Sequence, residues 1–115
     1  ALHIFGGILE RFEKQQNTQF YTTEIHVARL GAIAFATNPF ELFLDFANQI
    51  KALSDAEQTF IIQLACDSGG YLPTAKAERG SHYSAYVSSG LTGHEGGALL
   101  VRKTVDTIKK FWEDA

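Results

Sequence analysis

Four histidines, at positions 3, 26, 82 and 94, are the side chains of this sequence best suited to binding a metal or moving a proton near neutral pH. Their spacing forms neither His-Glu-x-x-His nor His-x-His, the close pairs with which a helix or strand builds a zinc site. His26 alternates with apolar neighbours and reads as a surface residue of a strand. His82 and His94 fall in a glycine-rich stretch, where lining a pocket and simple loop packing both fit. Gly93-His94-Glu95-Gly96-Gly97 precedes a helical pattern, so its amides can face an anion. It lacks the Lys-Ser/Thr ending of a phosphate loop and the full dinucleotide pattern, and a flexible helix start explains it more simply.

Asp67-Ser68-Gly69-Gly70 has the composition of a serine-nucleophile loop, in which backbone amides surround a developing oxyanion. Such a site in a double β-barrel also needs a histidine and an aspartate well upstream, and this chain is too short and too helical to supply that frame. A glycine turn leaving a strand is the better reading. Glu41 follows Asn38 by three positions, the spacing of a capping box, so its local reading is a helix cap.

The elements that must position these residues follow from periodicity. Ile4, Phe5, Ile8, Leu9 and Phe12 recur at helical spacing and predict a short first helix. Thr18 to Arg29 is rich in aromatic and β-branched residues, with Glu24 and His26 alternating against Ile25 and Val27, and predicts a half-buried strand. Gly31 marks a reversal into a more buried strand over Ala32 to Ala36, which makes a hairpin. Asn38, Pro39 and Glu41 predict the N-cap, N1 and N3 of a helix carrying Phe40, Phe43, Leu44, Ala47 and Ile50. Thr59 to Ala65 predicts a buried strand, Cys66 to Gly70 its exit loop, Thr74 to Arg79 a short helix, and Tyr83 to Val87 a further strand. Val101, Val105, Ile108 and Trp112 form the stripe of a final helix from about Glu95. The expected fold is α/β: a mixed sheet with a β-hairpin, flanked by helices.

Composition narrows the classes of function. At 115 residues with 45% hydrophobic and 20% charged, the chain fits one small domain and has no apolar run of the roughly 20 residues needed to span a bilayer. A net charge of -3 without basic clustering argues against nucleic acid or anionic lipid as partners. The single cysteine, Cys66, excludes an internal disulfide and a cysteine-built zinc site. The start at Ala1 and the absence of methionine predict a longer precursor or a cut domain.

Three segments taken in order carry a family resemblance: Glu24-Ile25-His26-Val27-Ala28-Arg29-Leu30-Gly31, then Thr37-Asn38-Pro39-Phe40-Glu41-Leu42-Phe43, then Ser68-Gly69-Gly70-Tyr71-Leu72-Pro73-Thr74. Together with the glycine-rich start of the final helix, they resemble the carboxyl-terminal part of the catalytic domain of the neutral/alkaline non-lysosomal ceramidase family, across Glu24 to Trp112. The resemblance implies a zinc-dependent amidohydrolase that cleaves N-acyl sphingosine to sphingosine and a fatty acid. It implies that Glu41 and Tyr71 are metal ligands, with the zinc histidines supplied from earlier in the domain. Pro-Phe-Glu stands here where that family usually has Pro-Gly-Glu.

A carboxylate is an ordinary zinc donor, and a phenol becomes one when a neighbouring dication favours the phenolate. Two ligands do not make a four-coordinate site, so residues 1 to 115 alone are expected to hold no zinc and to be inactive. Ser68, Gly70, His82 and His94 are lower-ranked pocket candidates because loops at strand ends commonly carry function. The implied partners are the rest of the catalytic domain and a lipid amide, in a secreted or periplasmic setting. A cut domain is also expected to self-associate through an exposed sheet edge or apolar patch. The alternative is a non-enzymatic α/β interaction module in which Glu41 only caps a helix and Tyr71 only packs on the sheet.

Overall fold

The computed structural model describes residues 9, 10, 12, 13, 21–80, 83–86 and 90–113. Within these, Leu9, Glu10, Phe12 and Glu13 are helical, and the rest of the expected first helix lies outside the described residues.

The hairpin forms around a two-residue turn. Strand β1 (Val27–Leu30) runs antiparallel to β2 (Ile33–Thr37), with Val27 opposite Ala36 and Leu30 opposite Ile33. Gly31 has φ of +59°, the left-handed geometry that a tight hairpin turn requires and glycine adopts without penalty. Of the strand expected over Thr18 to Arg29, residues 18–20 lie outside the described residues, and from Tyr21 onward the ladder begins only at Val27. Beyond it, the Thr37 amide donates to the His26 carbonyl at 2.9 Å, and the His26 amide donates to Thr37 Oγ1 at 2.9 Å. A threonine hydroxyl thus takes the place of the next ladder carbonyl.

After β2 the chain departs from expectation. Glu41–Leu42 is a short strand, β3, and helix α1 (Leu44–Leu53) starts only beyond it, with Phe43 as N-cap and no side-chain capping bond. Asn38 does not cap the helix; its Oδ1 accepts the Phe40 amide at 3.0 Å in a local turn. The capping-box reading of Glu41 therefore fails. The motif is met one step too early, because backbone partners on both sides of Asn38–Leu42 compete successfully with the helix. Phe46 and Ile50 then form the buried face of α1.

Strand β4 (Gln58–Ile62) pairs in parallel with β2, so the three-stranded mixed sheet has the order β1-β2-β4. The run expected to be a buried strand is instead an edge strand in which only Thr59 is fully buried. A second, two-stranded sheet pairs β3 in parallel with β5 (Tyr71–Leu72). The short helix expected over Thr74 to Arg79 is present as α2 (Ala75–Arg79), and Thr74 caps it, its Oγ1 accepting the Ala77 amide at 3.1 Å. Tyr83–Ala85 is a 3-10 turn, not the start of a strand.

Helix α3 (His94–Glu113) closes the fold, burying Leu100, Val101, Thr104, Val105 and Ile108 at the spacing its stripe predicts. The core lies between one face of the larger sheet and the two long helices, built on Ala34, Phe40, Phe46, Ile50, Leu72, Leu100, Val101, Val105 and Ile108. Arg29 locks hairpin to helix: its guanidinium lies 4.1 Å over the Trp112 ring, and its Nη1 donates to the Phe111 carbonyl at 2.5 Å. A cation at the carbonyl end of a helix is favourably placed. The chain is thus α/β with a mixed sheet, and its helices cover one sheet face. On the other face Leu30, Phe60 and Ile62 are 69%, 45% and 43% exposed.

Candidate functional site

The parallel strands β2 and β4 end at the same edge of the sheet, and both run on directly into the segments that bear the candidate residues. From β2 the chain continues through Asn38 and Pro39 to Glu41, and from β4 through the Leu64–Gly70 loop to Tyr71. In open α/β sheets this carboxyl end is where ligand sites assemble.

Glu41 is held from both sides. On one, the Asn38 amide donates to the Ile62 carbonyl, the Leu64 amide to the Phe40 carbonyl, the Ala65 amide to the Asn38 carbonyl, and the Leu42 amide to Gln63 Oε1, at 2.9 to 3.2 Å. On the other, the Gly69 amide donates to the Pro39 carbonyl at 2.7 Å, the Glu41 amide to the Gly70 carbonyl at 2.8 Å and the Phe43 amide to the Leu72 carbonyl at 3.3 Å. Leu64 and Cys66 take φ of 55° and 68° to make the first set possible. Two side-chain-bearing residues in that region within one loop indicate backbone held by its surroundings. Phe40, where the resembled family usually has glycine, is buried in the core with its ring 6.0 Å from that of Tyr21, and it is not among the residues with positive φ. Its backbone makes no demand that only glycine could meet.

The result is that Glu41 and Tyr71 are direct in-register partners of a parallel pair. Side chains at such positions leave the same face of the sheet a few ångström apart. Both are partly exposed. Tyr71 also meets Tyr83, ring to ring at 6.0 Å and 83°. Its phenol is raised above the ordinary tyrosine range, first by its hydrogen bond with Tyr83 and next by the charge of Glu41. Without a bound cation the pair therefore keeps the tyrosine protonated.

The other candidates are placed differently. Gly70, at φ of +72°, supplies the carbonyl that anchors Glu41 and bridges to Gly90, so its part is positional. Ser68 is exposed, and its amide donates to Asp67 Oδ1 at 2.7 Å. The Gly69 amide is likewise given to the Pro39 carbonyl, so these two amides of the turn are committed within the chain. His94 turns to Glu78: its amide donates to Oε1 at 2.9 Å and its Nδ1 lies 2.6 Å from Oε2. The anion that the glycine-rich helix start receives is the chain's own carboxylate. His82 lies outside the described residues. Tyr83 was missed as a neighbour of Tyr71, since twelve residues separate them and no local periodicity links a loop to a later turn.

Among the described residues no group of three or more histidine, cysteine, aspartate or glutamate side chains is placed to hold a metal. Among the same residues no helix is long and apolar enough to cross a membrane. In comparisons with known proteins the chain matches no family model, no curated protein and no solved structure.

Proposed function

We propose that this chain is the carboxyl-terminal part of a ceramidase-like amidohydrolase domain, in which Glu41 and Tyr71 supply two oxygen donors to a zinc ion and residues from earlier in that domain supply the others. The observation that carries the reading is the in-register pairing of Glu41 with Tyr71 just past the carboxyl ends of two parallel strands. The donor chemistry fits half a site: a carboxylate and a phenol on one face, fixed by backbone bonds.

Zinc bound there would supply an acidified water and a polarised amide carbonyl. The chain's own contribution is positional and electrostatic. Glu41 brings a negative charge that favours a cation at the shared face, and Tyr71 holds a proton that cation binding displaces. Hydrolysis then adds water across the C–N bond of an N-acyl lipid, the acid keeping the oxygen and the amine taking the proton.

A second reading, a non-enzymatic α/β interaction module, draws on the open apolar face at Leu30, Phe60 and Ile62. Zinc content and amidase turnover of the polypeptide containing this chain decide between them. Glu41→Gln keeps size and hydrogen-bonding capacity while removing the charge, and it is expected to lower both by at least tenfold, the low end of losses seen for partners even one shell removed from a metal. Zinc content and turnover equal to those of the unaltered polypeptide would leave Glu41 as strand structure only.

A further inference from the structure

A cleft of about 490 Å³ lies between the extended Tyr21–Ile25 strap and helix α3. We propose that it binds a single-chain amphiphile with an anionic head, a long-chain carboxylate. This does not rest on the zinc reading, because Phe40 faces the cleft while the next residue along the chain, Glu41, is not part of its lining.

The strap that forms one wall is tied at both ends. At its start the Tyr21 hydroxyl donates to Asp67 Oδ2 at 2.8 Å and its ring packs edge-on against Phe40. At its end His26 exchanges hydrogen bonds with Thr37, and Ile25 packs on the core. The opposite wall is the α3 face bearing Leu99, Leu100 and Lys103. Ile25, Phe40, Leu99 and Leu100 make the interior hydrocarbon-like, and a volume near 490 Å³ is in the range that encloses small molecules.

The head group follows from charge. Among the described residues that line the cleft, Lys103 is the one charged side chain and none is acidic. Among the described residues no carboxylate is in ion-pair contact with Lys103. Lys103 is exposed and lines the same cleft as Leu99 and Leu100, and an ammonium beside an apolar wall suits a carboxylate at the end of an alkyl tail. Thr22, Thr23, Thr92 and Thr107 also line the cleft and bring polarity without charge. A metal ion or a cationic amine finds no counter-charge among the described lining residues.

The test is calorimetric titration of the chain with octanoate, decanoate and dodecanoate below micelle formation, with dodecylamine as the head-group control and backbone-amide NMR to map the site. Affinity is expected to rise roughly threefold per methylene, as burial of alkyl surface requires, and to favour the carboxylate over the amine. Lys103→Glu, at an exposed position, is expected to weaken dodecanoate about fivefold or more and to reverse the head-group preference. Leu99→Trp, also exposed enough to fold, is expected to block the cleft and abolish binding. Shifts in the unaltered chain should centre on Ile25, Leu99 and Lys103, which tests the site even if a variant misfolds. Shifts centred on Phe60 and Ile62, equal affinity for both heads, an unaffected Lys103→Glu or no binding at all would each overturn the proposal.

Discussion

Tyr71 is the residue whose surroundings make the sharpest demand. Its phenol is raised first by the hydrogen bond with Tyr83 and second by the Glu41 charge, so both Tyr83→Phe and Glu41→Gln should lower its pKa, the former by more. Ring-labelled tyrosine NMR across a pH titration measures this directly, and an unmoved Tyr71 in both variants would separate the three side chains. Asp67 works in the opposite sense. Its carboxyl is held below the usual range first by the Ser68 amide and then by the Tyr21 hydroxyl. A depressed folded value means that the stabilisation is complete above the unfolded pKa and is lost as pH falls through the folded one. Tyr21→Phe should therefore reduce the acid dependence of stability in that interval without abolishing it, because the larger donor remains; urea denaturation at stepped pH reads the difference.

Among the elements, the two-stranded β3–β5 pair is the least expected and the most consequential. It exists because the chain on either side of Asn38–Leu42 offers amides and carbonyls that a helix would leave unmatched. Gly70 is its weak point. Alanine there, at φ of +72°, should cost about 1–2 kcal/mol and shift the resonances of Glu41, whose amide depends on the Gly70 carbonyl. Equal melting temperatures for Gly70→Ala and the unaltered chain would show that the turn relaxes freely. By contrast the final helix is strongly built, and Ile108→Ala, at a fully buried position, should cost roughly 2–5 kcal/mol in chemical denaturation.

Over the whole molecule, the asymmetry of the sheet is the dominant feature. One face carries the core, and the other presents the stacked Phe35 and Phe60 rings, 5.4 Å apart, beside exposed Leu30 and Ile62. Apolar surface gathered on a flat sheet beside an edge strand favours association. Phe60→Lys should lower any self-association seen by sedimentation while changing stability by less than about 1 kcal/mol, since the side chain is half in water already. A large loss of stability would instead mean that this face carries part of the core.

Much of the architecture was legible in local pattern. The hairpin at Gly31, the short helix ending at Arg79 and the Val101–Val105–Ile108 stripe each depend on residues within a few positions of one another, and turn chemistry and helical periodicity act over that range. The same locality misled at Glu41, where a capping pattern complete in sequence lost to hydrogen bonds with segments more than twenty residues later. Exposure of β4 was equally invisible, because an apolar run looks the same whether its sheet is covered on one face or two. That Glu41 and Tyr71 stand side by side, that His94 belongs to Glu78, and that a cleft opens beneath the Tyr21 strap were decided by tertiary structure alone. Register between distant strands is set by the packing and hydrogen bonding of the whole chain, not by the residues that it brings together.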